Sequence, residues 1–239
     1  MEDIEILIGS FSLIFCIIST VIGLIVASKY RKYKQNTLLY VGLSLPGLAL
    51  PWYPSAISFL VALGTGDGLT APVYFLIGNA FVPISLFLWM LALTELIFKK
   101  HQKTILIIYI VIGIIFEIYF LYTLFTDYNE IGELKGAVEC TYHGITEGYL
   151  IFTLLTIIIT SIWFNIKCFK SDDAEVRLKG IFLMIGLILY AIGAIADGFI
   201  PLDLVTLPII RIILIISMIM YYHAWILPTY AKKLILKKE

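Results

Sequence analysis

The chain has 239 residues, of which 61% are hydrophobic and 14% charged, against roughly 45–50% and about 25% in soluble globular proteins. Its 17 basic and 17 acidic side chains are too few to coat a soluble surface, and mean hydropathy is +0.99. The bilayer is therefore the expected partner, and zero net charge argues against nucleic acid as another, because that needs a basic face.

A helix needs roughly 20 apolar residues to cross about 30 Å of hydrocarbon. Seven segments qualify, at about 4–28, 37–63, 71–98, 104–126, 147–168, 179–200 and 204–229. The alternation of a membrane β-barrel is absent. The expected fold class is an all-α integral membrane protein, one domain of seven transmembrane helices with a basic tail at 230–239, in a cell membrane that it crosses many times.

In chain order, the first span follows Met1-Glu2-Asp3 with no basic region ahead of it, and reads as a retained helix instead of a signal peptide. Gly9, Ser12, Cys16, Ser19, Gly23 and Ala27 give it a stripe of small residues, the pattern that permits close helix approach. Such a stripe can serve the seventh span or a second copy of the chain in a homo-oligomer. The second span holds Pro46, Pro51 and Pro54 within nine residues. Each interior proline removes a backbone hydrogen bond and clashes with the preceding turn, so a break is predicted there. Irregular backbone at membrane depth belongs where it is buried in protein or lines water.

The third span carries Asn79 and Pro83, then Glu95 four residues before Lys99, which reads as an interfacial ion pair. In the fourth, Tyr109, Gly113 and Glu117 share one stripe, with Glu117 about 20 Å from the inner end. In the sixth, the stripe is Gly186, Tyr190, Gly193 and Asp197; the seventh carries Arg211 about 10 Å below the outer surface. Ionisable groups inside a bilayer are rare and mark functional sites by default. Trp52, Tyr53, Asn79, Glu117, Tyr190, Asp197 and Arg211 fall at one level and are predicted to line an outward-facing ligand cavity. A structural Asp197–Arg211 bridge is the plainer alternative. Trp163, Tyr221, Tyr222, Trp225 and Tyr230 suit an interfacial belt.

Positive charge sorts by side. Lys29, Arg31, Lys32, Lys34, Lys99, Lys100, Lys103, Lys167, Lys170, Arg177, Lys179, Lys232, Lys233, Lys237 and Lys238 are fifteen of the 17 basic residues and share one side; the opposite loops hold only Lys135. Basic loops stay cytoplasmic, which predicts an external N-terminus and a cytoplasmic C-terminus.

An offset of 136 residues aligns Asp67-Gly-Leu-Thr70-Ala-Pro72 with Asp203-Leu-Val-Thr206-Leu-Pro208, and Trp89 with Trp225. An offset of 138 pairs Lys29 and Gly42 with Lys167 and Gly180. Spans 1–3 (4–98) and 5–7 (147–229) thus read as a parallel duplication, with span four (104–126) as the linker that restores orientation. This three-plus-one-plus-three plan is similar to that of the SWEET and PQ-loop transporters, though the chain has no Pro-Gln pair. Helix number, length and orientation also resemble the microbial rhodopsins, but no lysine lies in the membrane interior of the seventh span, which excludes a retinal Schiff base; no cofactor is expected.

Gly64-Thr65-Gly66-Asp67 spells the G-x-G-D of intramembrane aspartyl proteases but falls in an outer turn with no partner aspartate on spans one or two. Glycine serves turn geometry there. Cys140, His143 and Glu147 could approach a Zn²⁺ set if the fifth helix began early; a solvated loop is the plainer reading, and no metal site is expected. The functional expectation is a transporter-like protein binding a small solute. The alternatives are a ligand-sensing receptor acting on a separate cytoplasmic partner, and a structural component. An enzyme is least supported.

Overall fold

The computed structural model describes residues 1–236. Its seven long apolar helical segments, Asp3–Tyr33, Asn36–Thr65, Ala71–Ile97, Lys99–Thr126, Gly144–Phe169, Ala174–Phe199 and Thr206–Ile226, make this a multi-pass membrane protein. The first span comprises α1 (Asp3–Ser28) and α2 (Tyr30–Tyr33), the second α3 (Asn36–Leu48) and α4 (Tyr53–Thr65), the third α5 (Ala71–Asn79) and α6 (Val82–Ile97). One helix forms each later span: α7 (Gln102–Thr126), α8 (Gly144–Phe169), α9 (Ala174–Phe199) and α10 (Thr206–Ile226). A short helix, α11 (Thr229–Leu236), follows. Lys237 and Lys238 of the basic tail lie outside the described residues.

The sixth span begins five residues earlier than expected because Asp173 caps it, accepting the Glu175 N–H at 2.8 Å. The seventh ends earlier because Leu227, at φ +46°, precedes Pro228, which cannot continue a helix.

Six spans form a ring, and the fourth stands outside it. α1 packs on α3 and α4, α3 on α6, α6 on α8, α8 on α9, α9 on α10, and α10 on α1; α7 touches α5 and α6. The stripe of small residues is consumed within this ring. A side chain at Gly9 would strike Phe59, one at Gly23 would strike the Gly42 carbonyl, and Ser19 donates to Leu45 O at 3.0 Å and meets Met218 Sδ. Of the two uses expected for the stripe, packing against the seventh span is the one seen, and the second span shares it.

The second span breaks where its prolines predict, but more narrowly. α3 runs through Pro46, and a 3₁₀ turn at Leu50–Trp52 separates it from α4. The break frees carbonyls, and other helices answer them. Trp52 N–H turns to Ala49 O, so Leu48 O accepts the Tyr190 hydroxyl at 2.9 Å, while Leu45 O takes Ser19.

The acidic loop after α7 is not simply solvated. Two strands, β1 (Gly132–Lys135) and β2 (Glu139–Tyr142), pair antiparallel with Lys135 opposite Glu139, and Gly136 supplies the turn at φ +60°. The all-α expectation missed this hairpin. It docks on the helix ends: Ala137 N–H donates to Glu5 Oε1 at 2.7 Å, Ala137 O accepts from Ser58, and Val138 O accepts the Tyr74 hydroxyl at 2.9 Å. Val138 is fully buried with Ile8, Phe59 and Leu207. One end of the bundle is thus the hairpin end; the other carries the lysine-rich turns.

At the lysine end, Lys167 Nζ donates to Ile97 O at 2.9 Å and Lys232 pairs with Glu175. The expected Glu95–Lys99 pair does not form, because α6 stops at Ile97 and a 3₁₀ turn carries Lys99 off that helical face. Glu95 instead meets the Thr37 hydroxyl at 3.5 Å.

Candidate functional site

Beneath the hairpin lies a cavity of about 700 Å³ between the two halves of the ring. Trp52 reaches it from the break in the second span, Tyr190 and Asp197 from α9, and Arg211 from α10. Residues Val138–Tyr142 of the hairpin roof it, and Leu150–Ile157 of α8 supply much of its apolar wall.

Its polar centre is built from three elements. Arg211 Nη2 lies 3.0 Å from Asp197 Oδ1, and Trp52 Nε1–H donates to Asp197 Oδ2 at 2.7 Å. The guanidinium carbon stands 5.6 Å from the centre of the Trp52 ring, close enough for cation–π attraction. The short loop between α9 and α10 makes those helices neighbours, which is why the pair can form. The proline-induced turn sets Trp52 at the depth needed to complete it. Only 3% of the Arg211 side chain is exposed, against 16% for Asp197. Arg211 Nε and Nη1 are buried with no hydrogen-bond partner, although buried N–H groups are almost always paired. Asp197 Oδ1 likewise has no hydrogen-bond partner, so the ion pair keeps both donor and acceptor capacity to spare.

Four of the seven expected residues therefore gather: Trp52, Tyr190, Asp197 and Arg211. Three do not. Tyr53 turns toward α1, its hydroxyl 2.5 Å from Thr20 Oγ1. Asn79 is fully buried where the third span breaks, and its amide donates to Phe75 O at 2.9 Å. Glu117 lies on α7, outside the ring. An aromatic cluster including Phe75, Phe116 and Tyr149 fills the space on its inner side, with Phe116 and Tyr149 stacked at 3.8 Å. Equal depth did not imply a shared chamber, because the fourth helix is not a member of the ring.

The cavity adds residues not expected in its lining: Pro51, Ser55 and Tyr74, the hairpin's Lys135, Glu139 and Cys140, then Glu147 and Gly198. The hairpin had a usable signal in Gly132-Glu-Leu-Lys-Gly136, where alternating polarity runs into a glycine turn. Cys140 is half-buried, not an exposed loop thiol, and burial pushes its pKa up to about 12. Tyr142, beside it, is driven well above the ordinary tyrosine range by desolvation. Among the described residues no three His, Cys, Asp or Glu side chains form a metal-binding group.

The two Asp-x-x-Thr-x-Pro elements differ in detail. Asp203 accepts the Val205 and Thr206 N–H groups at 2.8 and 2.7 Å, which holds its pKa below the usual value. Asp67 makes no such cap; its own N–H donates to Thr65 Oγ1 at 3.2 Å.

A second cavity, of about 1170 Å³, opens at the lysine end and is lined by Leu38, Glu95, Phe164, Leu183 and Ala224 among others. It lies on the same helices as the first, α3, α6, α8, α9 and α10. Leu183 lines the one and Tyr190 the other, seven residues or about 10 Å apart along α9. Buried Leu45, Leu86, Trp89, Leu187, Met218 and Tyr221 occupy the helix turns between.

No protein-family model matches the chain, and no characterised protein matches it.

Proposed function

We propose that this is a transporter-like protein that binds a small solute in the cavity beneath the hairpin. The observation that carries the reading is the pair of cavities at opposite ends of one seam, with a septum of about 10 Å between them. Alternating access works by opening one site between repeated units to each side in turn, and two cavities divided by a thin septum suit it. The packing order supports the duplication: exchanging spans 1–3 with 5–7 turns the contact of the first with the seventh into that of the fifth with the third, and both contacts are present. The distribution of lysine and arginine orients the hairpin end outward and the lysine end toward the cytoplasm of a cell membrane.

Uptake of candidate solutes into proteoliposomes tests the reading. Arg211→Gln is expected to abolish saturable uptake, and Glu117→Gln, altered outside the ring, to leave it within twofold. Uptake lost in both or in neither removes the cavity from the transport path.

A second reading is supported by the connection at the cytoplasmic end. Arg211 lies on the seventh helix and α11 follows the end of that helix, tied back by Lys232 to Glu175 and by Tyr230 to His223 at 2.5 Å. A ligand-sensing receptor would move α11 through that helix. It predicts saturable binding with no flux, together with altered protease accessibility of α11.

A further inference from the structure

The cavity has a side opening. Ile151 on α8 and Ile195 on α9 both line it and are 41% and 47% exposed. Wall residues this exposed lie where the cavity is open. Gly198 also lines the cavity, and a side chain placed there would meet nothing within 4 Å. Farther down the same helix pair the spacing is tight, since a side chain at Gly180 would collide with Cys168. α8 and α9 therefore close at the lysine end and splay at the hairpin end. Ile151 lies seven residues, about 10 Å, from the start of α8, and Ile195 about 6 Å from the end of α9. Both residues sit inside the ends of apolar helices, a depth at which an opening would face lipid.

The chemistry inside selects further. The wall is mostly apolar, but it carries Ser55, Tyr74, Thr153 and Tyr190 besides the cluster at Arg211. Three carboxylates, Glu139, Glu147 and Asp197, face the space against two cations, Lys135 and Arg211. No surplus positive charge is available for an anion. Asp197 already holds Arg211 and the Trp52 indole, and Lys135 stands opposite Glu139 in the hairpin. The deep cluster thus offers an amine no free counter-ion, and Glu147 is the one carboxylate without a neighbouring cation among the lining residues. The unpartnered polar atoms of the lining are Nε and Nη1 of the buried guanidinium, with Asp197 Oδ1 beside them and the Tyr142 and Thr153 hydroxyls on the wall. From Tyr190 to Ile200 the lining of α9 extends about 15 Å.

We propose that the cavity takes an uncharged lipid-phase molecule, an apolar chain ending in an acceptor oxygen of a ketone or alcohol, admitted sideways between α8 and α9. Its oxygen accepts from Arg211 while the chain lies along the apolar wall toward Ile151 and Ile195. The inference rests on the cavity being the ligand site and names the class of ligand.

The test uses the full chain in nanodiscs and three tritiated ten-carbon probes with different heads: 2-decanone, decanoate and decylamine. The expected result is saturable binding of the ketone above the partition into empty nanodiscs, at least tenfold tighter than either charged probe. Gly198→Trp adds bulk at the side opening, where a Cβ meets nothing within 4 Å, and is expected to weaken ketone binding at least tenfold. Gly148→Trp, equally unobstructed but off the cavity wall, is expected to change nothing. Equal binding of decanoate overturns the uncharged class, and equal effects of the two tryptophans overturn the sideways route. Absence of saturable binding by all three overturns the inference while leaving the transport reading to the uptake assay, where a water-soluble solute blocked by Arg211→Gln would uphold that reading alone.

Discussion

Arg211 and Asp197 form a buried ion pair whose two halves should be unequal. Arg211→Met leaves Asp197 without its cation, but the carboxylate keeps the Trp52 N–H at 2.7 Å and is 16% exposed to the cavity. Breaking a buried pair costs about 3–5 kcal/mol, and this residual solvation places the variant near the lower figure. Asp197→Asn leaves the guanidinium, 3% exposed, with no counter-charge. That change belongs near the upper figure. The double variant carries no unpaired charge and should cost less than the two singles summed, by at least about 2 kcal/mol. Equilibrium unfolding in mixed micelles of detergent and dodecyl sulfate measures all four proteins of the cycle. Additivity within about 0.5 kcal/mol would mean that the two groups do not share a desolvated site, and the account of the cavity floor would fail.

Two further outcomes follow from local geometry. Cys140, with its pKa near 12, holds about one thiolate in ten thousand at pH 8, where a free thiol is roughly a quarter ionised. Allowing for the greater nucleophilicity of a basic thiolate, iodoacetamide should react on the order of a hundredfold more slowly than with a free thiol. The rate should keep rising tenfold per pH unit up to pH 11, because the group stays protonated until pH passes its raised pKa. A plateau near pH 9 would refute the burial. Gly23→Ala should destabilise by about 2–3 kcal/mol, since its Cβ would sit 2.5 Å from the Gly42 carbonyl, whereas Gly64→Ala meets nothing and should be neutral. Equal unfolding midpoints for these variants would refute the close crossing of the first two spans.

The number of spans and the break in the second were legible because their causes are local. A span is a matter of apolar length, and Pro51 removes a donor whatever surrounds it. The Asp197–Arg211 pair was legible for a related reason: the short loop joining the sixth and seventh spans leaves their helices no choice but to be neighbours. Glu117 was not. A helix as apolar all round as α7 says little about which face turns inward, and its neighbours decide whether it joins the ring at all. Tyr53 failed for the opposite reason: one residue from Trp52, it is turned about 100° away by helical geometry, onto Thr20. The hairpin escaped because four-residue strands have little stability of their own. Its order comes from Glu5, Ser58 and Tyr74, which are 132, 79 and 64 residues from the atoms they hold.

That dependence makes the hairpin separable from the bundle it covers. Tyr74 is 1% exposed, and its hydroxyl bonds both Ser55, at 2.7 Å, and Val138 O, at 2.9 Å. Tyr74→Phe keeps the ring that packs on Phe75 but leaves the Val138 carbonyl without its donor, in a place where Val138 itself is fully buried. Leaving a buried acceptor unsatisfied costs about 1–3 kcal/mol. The cost falls on the docked state of the hairpin, because an undocked tip can hydrogen-bond to water. Amide exchange at the tip should therefore accelerate roughly 5- to 150-fold, as RT sets for that range, with the Ala137 amide reporting most directly. Exchange in α9 and α10 should stay within threefold, since neither helix bonds to the Tyr74 hydroxyl. Acceleration spread evenly over hairpin and helices would show that the roof and the bundle open as one cooperative unit. Opening confined to the tip would leave the cavity floor at Arg211 intact beneath a roof that moves by itself.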